Sequence, residues 1–217
     1  MKKYELLTET FVGGVDYACI HFADHILYRG HTLYRIKALK DFNDVKAGDI
    51  GGYISDESCL SQEGDCWVYD DAKVLPNARV FDNAQVRGKS HIEDNAKVYG
   101  NAIVNTSLGV YNNAEVYDNA IVKDDVCVYG NAKVCGDVII DSKAQICSNA
   151  YIKSKNDFKC TTIYNVPITI FNDIHDEIYF KFIGHERSYK DFCENCKESR
   201  FYALITKAIR EFIQGRV

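Results

Sequence analysis

From Cys66 onward every sixth residue is small or apolar, and the residue two places later is always valine or isoleucine. The first series reads Cys66, Ala72, Ala78, Ala84, Ser90, Ala96, Ala102, Leu108, Ala114, Ala120, Val126, Ala132, Val138, Ala144 and Ala150. The second starts at Val68, Val74, Val80, Val86 and Ile92 and runs without an insertion to Ile140, Ile146 and Ile152. Residues at i and i+2 point to one side of a short strand. Turn formers follow each pair, at Asp70, Gly88, Asp94, Gly100, Asn112, Asp118, Gly130 and Gly136. One strand and one turn take six residues, so three hexads close a triangular coil and fifteen hexads make about five coils. Stacked at the parallel-strand spacing of ~4.8 Å, they form a prism on the order of 24 Å long. Each buried Val or Ile contributes roughly 1.5–3 kcal/mol, and no coil is stable alone.

The pattern predicts a mainly β chain: a left-handed parallel β-helix over residues 61–153, between a β-hairpin cap (1–60) and a small α+β element (154–217). Asn77, Asn95, Asn113, Asn131 and Asn149 recur one coil apart, as do Asn83, Asn101 and Asn119. Stacked Asn can adopt left-handed turns and bond along the stack. The third corner row (Asp71, Lys89, Ser107, Asp125, Lys143) lacks Asn, so the three sides differ.

The outward positions distinguish the faces. The first carries Trp67, Gln85, Ile103, Ile121 and Ile139. Three stacked isoleucines on an exterior need a cover, either a second subunit or the chain's own C-terminal helix. The second carries His91, Glu93, Tyr111, Tyr129 and Cys127, and the third carries Tyr99 and Tyr117 among Lys97, Glu115 and Lys133. The tyrosine pairs read as aromatic ladders along the stack, with an interface role as the alternative.

Tyr17–Tyr28 and His31–Leu39 read as a hairpin around Arg29-Gly30. Gly48-Asp49-Ile50-Gly51-Gly52-Tyr53 reads as a cap on the open coil end, because no Lys-Ser/Thr follows to make a phosphate loop. Beyond Lys153 the period fails. Thr161–Phe171 and Glu177–Ile183 read as strands around an Asn172-Asp173 turn, and Ser188 with Asp191 as a capped helix start. Phe201, Leu204, Ile205, Ala208, Ile209, Phe212 and Ile213 keep helical spacing, predicting an amphipathic helix over Phe201–Ile213 that needs an apolar partner.

Composition narrows the function. The 217 residues carry a net charge of −5, which gives no basic field for nucleic acid. No apolar run approaches a membrane span and no leader pattern opens the chain. Nine cysteines, an odd number without framework spacing, read as reduced cytoplasmic thiols. Cys193-Glu194-Asn195-Cys196 is a lone Cys-x-x-Cys with only Cys160 and His185 to complete a zinc site, so no metal and no cofactor is expected.

The hexads resemble the hexapeptide-repeat superfamily of left-handed β-helices. Tyr99-Gly100-Asn101-Ala102, Tyr129-Gly130-Asn131-Ala132-Lys133-Val134 and the segments Arg35–Phe42 and Val45–Gly52 resemble a group of phage- and prophage-encoded β-helix proteins. The superfamily resemblance implies an acyltransferase as one option, with a histidine base beside a loop that leaves the prism. Here His91 is the only histidine in the coils, Glu93 could orient it, and the unbroken count leaves no such loop. The phage resemblance implies a non-enzymatic interaction module in a bacterial host cytoplasm, binding and inhibiting a host defence component such as a nuclease complex. A structural, oligomer-forming phage protein, dimer or trimer, is the third reading.

Overall fold

A computed structural model describes residues 1–7, 14–16, 19–21, 25–28, 30–141, 143–163, 166–182, 185–195 and 202–215. Side chains are described for these except 14–16, 19–21, 25–28, 163, 166–167, 182 and 185. The chain is mainly β, and its centre is a three-sided solenoid of parallel strands. The first face stacks Trp67–Val68, Gln85–Val86, Ile103–Thr106, Ile121–Asp124 and Ile139–Ile140. The third stacks Arg79–Val80, Lys97–Val98, Glu115–Val116, Lys133–Val134 and Tyr151–Ile152. The valine and isoleucine series is at most 1% exposed throughout and forms one continuous core with the alanines.

The stack has about six turns, not five. On the second face Ile50–Ile54 lies parallel to Lys73–Val74, below His91–Ile92, Gly109–Val110, Cys127–Val128 and Gln145–Ile146. This first turn escaped the hexad count because Tyr53 pairs with Lys73 twenty positions on, whereas Lys73 pairs with His91 at eighteen. Two extra residues are absorbed before Cys66.

The Gly-Gly pair of the cap has a steric cause. A Cβ on Gly51 would lie 2.6 Å from the Val68 carbonyl oxygen and 2.7 Å from Trp67 Cζ2. Arg35 clasps the same junction, donating to the Gly51 and Asp70 carbonyls at 2.8 and 3.0 Å and lying 4.4 Å above the Tyr53 ring. Lys3, fully buried, sends its ammonium to the carbonyls of Glu63, Gly64 and Cys66 at 3.0–3.3 Å, so its charge is compensated by hydrogen bonds. The hairpin at Gly30 (φ +80°) forms between His25–Tyr28 and His31–Ala38, but the arm read as Tyr17–Tyr28 is folded again, with Cys19–His21 antiparallel to His25–Tyr28.

The asparagine ladders run as hydrogen-bonded rows: Asn83, Asn101, Asn119 and Asp137 at 2.7–3.0 Å, and Asn95, Asn113, Asn131 and Asn149 at 3.1–3.2 Å. The left-handed turns fall on the turn formers read from the sequence, Asp70, Gly88, Asp94, Gly100, Asn112, Asp118, Gly130 and Gly136, and among the ladder asparagines on Asn77. From Asn83 and Asn95 onward the ladder residue, one place after the turn former, is thereby free to stack.

One inward position was misread. Leu108 is 43% exposed, and Thr106 is buried in its place. The strand from Ile103 continues to Thr106, whose hydroxyl reaches the carbonyls of Asp124 (2.8 Å) and Val126, while its N–H donates to Ser90 Oγ at 2.8 Å. Satisfying that polar corner from inside turns Leu108 outward.

The C-terminal sheet closes the other end. Its order is Phe158–Ile163, Val166–Asn172, Ile178–Phe182, His185–Ser188, all antiparallel. The run Thr161–Phe171, read as one strand, is two, because Ile163 pairs with Val166 and the chain reverses between them. Phe171 joins the solenoid core, while Ile168, Ile170 and Phe180 face two helices, α1 (Tyr189–Asn195) and α2 (Tyr202–Gln214). Ser188 Oγ accepts the Asp191 N–H at 3.1 Å, the expected cap of α1.

Candidate functional site

The isoleucines Ile103, Ile121 and Ile139 are direct register partners on the first face. Ile103 and Ile121 are half-buried, and Ile139 is 53% exposed. Trp67, at the amino end of the row, is closed off by edge-on contacts with Tyr4 and Phe42. The row is not covered by α2. Ile205, Ala208, Ile209 and Phe212 are buried against Ile168, Ile170, Phe180 and Phe192 of the C-terminal sheet and α1, because that sheet offers the nearer apolar surface. Leu204 is exposed on α2 beside the buried stripe, and Phe201 lies outside the described residues.

On the second face His91 Nε2 stands 3.6 Å from Glu93 Oε1, both largely shielded. Tyr111 and Tyr129 stack at 5.1 Å, with Tyr111 Oη 3.7 Å from Cys127 Sγ and Lys181 over the Tyr129 ring. Burial raises the Cys127 thiol, and burial with the Glu186 carboxylate pushes Cys147 up to about 12, so neither is a nucleophile at neutral pH. On the third face Phe81, Tyr99 and Tyr117 stack at 4.8 and 4.9 Å, and Glu115 bridges Lys97 and Lys133. Ring faces meet ring faces there, so these tyrosines chiefly hold the coils together.

Spacing along the sequence could not reveal the pocket of about 410 Å³ between the Asp173–Glu177 turn and α1. Asp173 Oδ1 accepts the N–H groups of His175 and Glu177 at 2.8 and 2.9 Å, which fixes the turn and sets Asp176 and Glu177 at the rim. Tyr189 with Cys193, and Lys190 with Glu194, are i,i+4 pairs on α1 that line the other wall. Cys193 and Cys196 read as a Cys-x-x-Cys pair short of the ligands a zinc site needs, with no metal expected. Among the described residues no group of three or more His, Cys, Asp or Glu could hold a metal ion, while Cys196 and the His185 side chain lie outside them. No described helix is long and apolar enough to cross a membrane.

Three faces of stacked parallel strands, with both helices of the described residues at the carboxyl end, place the protein in the class of β-solenoids. No protein-family model matches the chain. A stretch of 38 residues is 58% identical to part of a protein of Escherichia coli (strain K12) described as the uncharacterized acetyltransferase YdcK. The match covers 18% of this chain and 12% of that protein, so the chain spans a small part of the relative.

Proposed function

We propose that the chain is a non-enzymatic protein-interaction module whose copies meet along the isoleucine face. The observation that supports this is the in-register row Ile103–Ile121–Ile139, ending in a half-exposed isoleucine, while the apolar side of α2 is occupied elsewhere. With the apolar side of α2 occupied elsewhere, a second copy of the chain is the cover this reading assigns to the row. The resemblance to phage- and prophage-encoded β-helix proteins makes a host defence component, such as a nuclease complex, the target it binds and inhibits. Size-exclusion chromatography with light scattering tests the face: the native mass should be a multiple of 24.6 kDa and fall to one chain in Ile121→Asp. A native mass of one chain, or a mutant that keeps the native mass, removes the assignment. Addition of the protein to a purified host nuclease complex should suppress DNA degradation, and undiminished degradation removes that target.

A second reading rests on the His91–Glu93 pair at 3.6 Å together with the acetyltransferase description of the partly matching protein. In it His91 is the general base of an acyl transfer and Glu93 orients the imidazole. Turnover of acetyl-CoA with an amine acceptor that vanishes in His91→Ala would establish it, and no turnover by the native chain removes it.

A further inference from the structure

The pocket between the Asp173–Glu177 turn and α1 is lined mostly by apolar surface, with Ile178 and the Tyr189 ring among its walls. Among the described residues its charged groups are three carboxylates, Asp176, Glu177 and Glu194, against a single ammonium, Lys190. An apolar cleft under a carboxylate rim matches one kind of side chain best: an aliphatic stem that ends in a cation. A second observation concerns the strand partner of Ile178. Asn172, directly across the strand pair from Ile178, is 1% exposed, and neither its Oδ1 nor its Nδ2 has a hydrogen-bond partner. Direct opposites in an antiparallel pair share a face with Cβ atoms about 4.5–5.5 Å apart, so the unpaired amide adjoins Ile178. Buried amides with both atoms unpaired are rare, so the strand pair beside the pocket wall holds unused hydrogen-bonding capacity.

We propose that this pocket receives lysine or arginine side chains from a basic segment of a partner protein. The inference rests on the reading of the chain as an interaction module and gives its partner a chemistry. It places the contact at the carboxyl end of the prism, leaving the isoleucine face to a second copy. The net charge of −5 would add steering toward such a partner.

Fluorescence anisotropy of a fluorescein-labelled octalysine peptide, titrated with the full chain at 0.15 M salt, tests this. Saturable binding is expected, weakened at least tenfold in Glu177→Lys/Glu194→Lys and tightened severalfold in Lys190→Glu. The control Glu5→Lys/Glu63→Lys makes the same charge change near the amino end and should lose less than threefold. Unlabelled peptide should also slow alkylation of Cys193 by iodoacetamide, read by peptide mapping, since Cys193 lines the same pocket. No saturable binding, an equal loss in the control, or unprotected Cys193 would overturn the proposal. Competition by spermine as effective as the peptide would also overturn it, by assigning the pocket to small polyamines. None of these readouts uses the isoleucine face, so the pocket can fail while the mass shift in Ile121→Asp stands, and the reverse.

Discussion

The imidazole of His91 occupies the space that a side chain at Gly109 would need: a Cβ built there would stand 2.5 Å from His91 Cδ2. Gly109 also holds φ at +98°, outside the usual range of residues with side chains. Two penalties therefore act on Gly109→Ala, backbone strain and a clash. We expect a loss of roughly 2–4 kcal/mol in urea unfolding, from typical costs of such strain and of overpacking. The double variant His91→Ala/Gly109→Ala should recover only part, because the His91 carbonyl oxygen also lies 2.5 Å from that Cβ. Full recovery would show that backbone strain is negligible here.

Thr106 is held inside the corner by the carbonyls of Asp124 and Val126 and by its N–H bond to Ser90. Thr106→Val keeps the shape and removes the hydroxyl donor, so a buried carbonyl loses its partner. The expected cost is about 1–3 kcal/mol, the range for an unsatisfied buried group. Thr106→Ser, which keeps the donor, should cost less than Thr106→Val. The reverse order in thermal or urea unfolding would mean that methyl packing, not the hydroxyl, holds the corner.

Leu108 and Thr106 show where the sequence stopped being legible. The hexads were readable because inward positions need small or β-branched residues in a fixed alternation, and one-residue slips would expose all of them. Leu108 satisfied that pattern by type, yet the corner's hydrogen bonds chose the polar Thr106 for the interior. The additional turn at Ile50–Ile54 was hidden by two extra residues, although its Gly-Gly signal was recognised as a cap. The asparagine ladders and the cap of α1 at Ser188 depend on local spacing and were foreseen. The pocket beside α1 joins a turn to a helix through strand pairing, and no sequence period marks it. The isoleucine row was foreseen as a row; that α2 turns to the C-terminal sheet instead depended on which apolar surface lay within reach.

Tyr99 contributes to the stability of the third face in a pH-dependent way. Burial, and next the Glu115 carboxylate, push its phenol up to about 12. Because the folded value is raised above the unfolded one near 10, the contribution is complete below about pH 10 and is lost as pH rises toward 12. Tyr111, Tyr117 and Tyr129 are shifted in the same direction, chiefly by burial. Phenolate absorbance at 295 nm should therefore show a late-ionising set in the native protein that merges with the rest in urea. The stability difference between pH 9 and pH 11 should shrink in Tyr99→Phe. An unchanged difference would assign the alkaline sensitivity to other groups.

The amino-terminal cap makes a sharper demand on one residue. Gly51 lies so close to the first complete coil that any Cβ would press on the Val68 carbonyl, on Ile36 Cγ1 at 2.7 Å and on the Trp67 ring. None of these can yield easily: Ile36 is fully buried, and Trp67 is wedged between Tyr4 and Phe42. Gly51→Ala should cost about 1–3 kcal/mol from overpacking alone. Its second effect is more specific. Lifting Ile50–Ile54 from Lys73–Val74 would bare the amino edge of the second face, and unpaired edges of regular solenoids template further strands. Light scattering should thus report concentration-dependent growth in Gly51→Ala that is absent from the native chain. Gly48→Ala supplies the contrast: a Cβ there meets nothing within 4 Å, so only its positive φ of +96° is penalised and the cap stays seated. If both variants lose stability but neither grows, the cap's role is confined to stability and does not extend to guarding the edge.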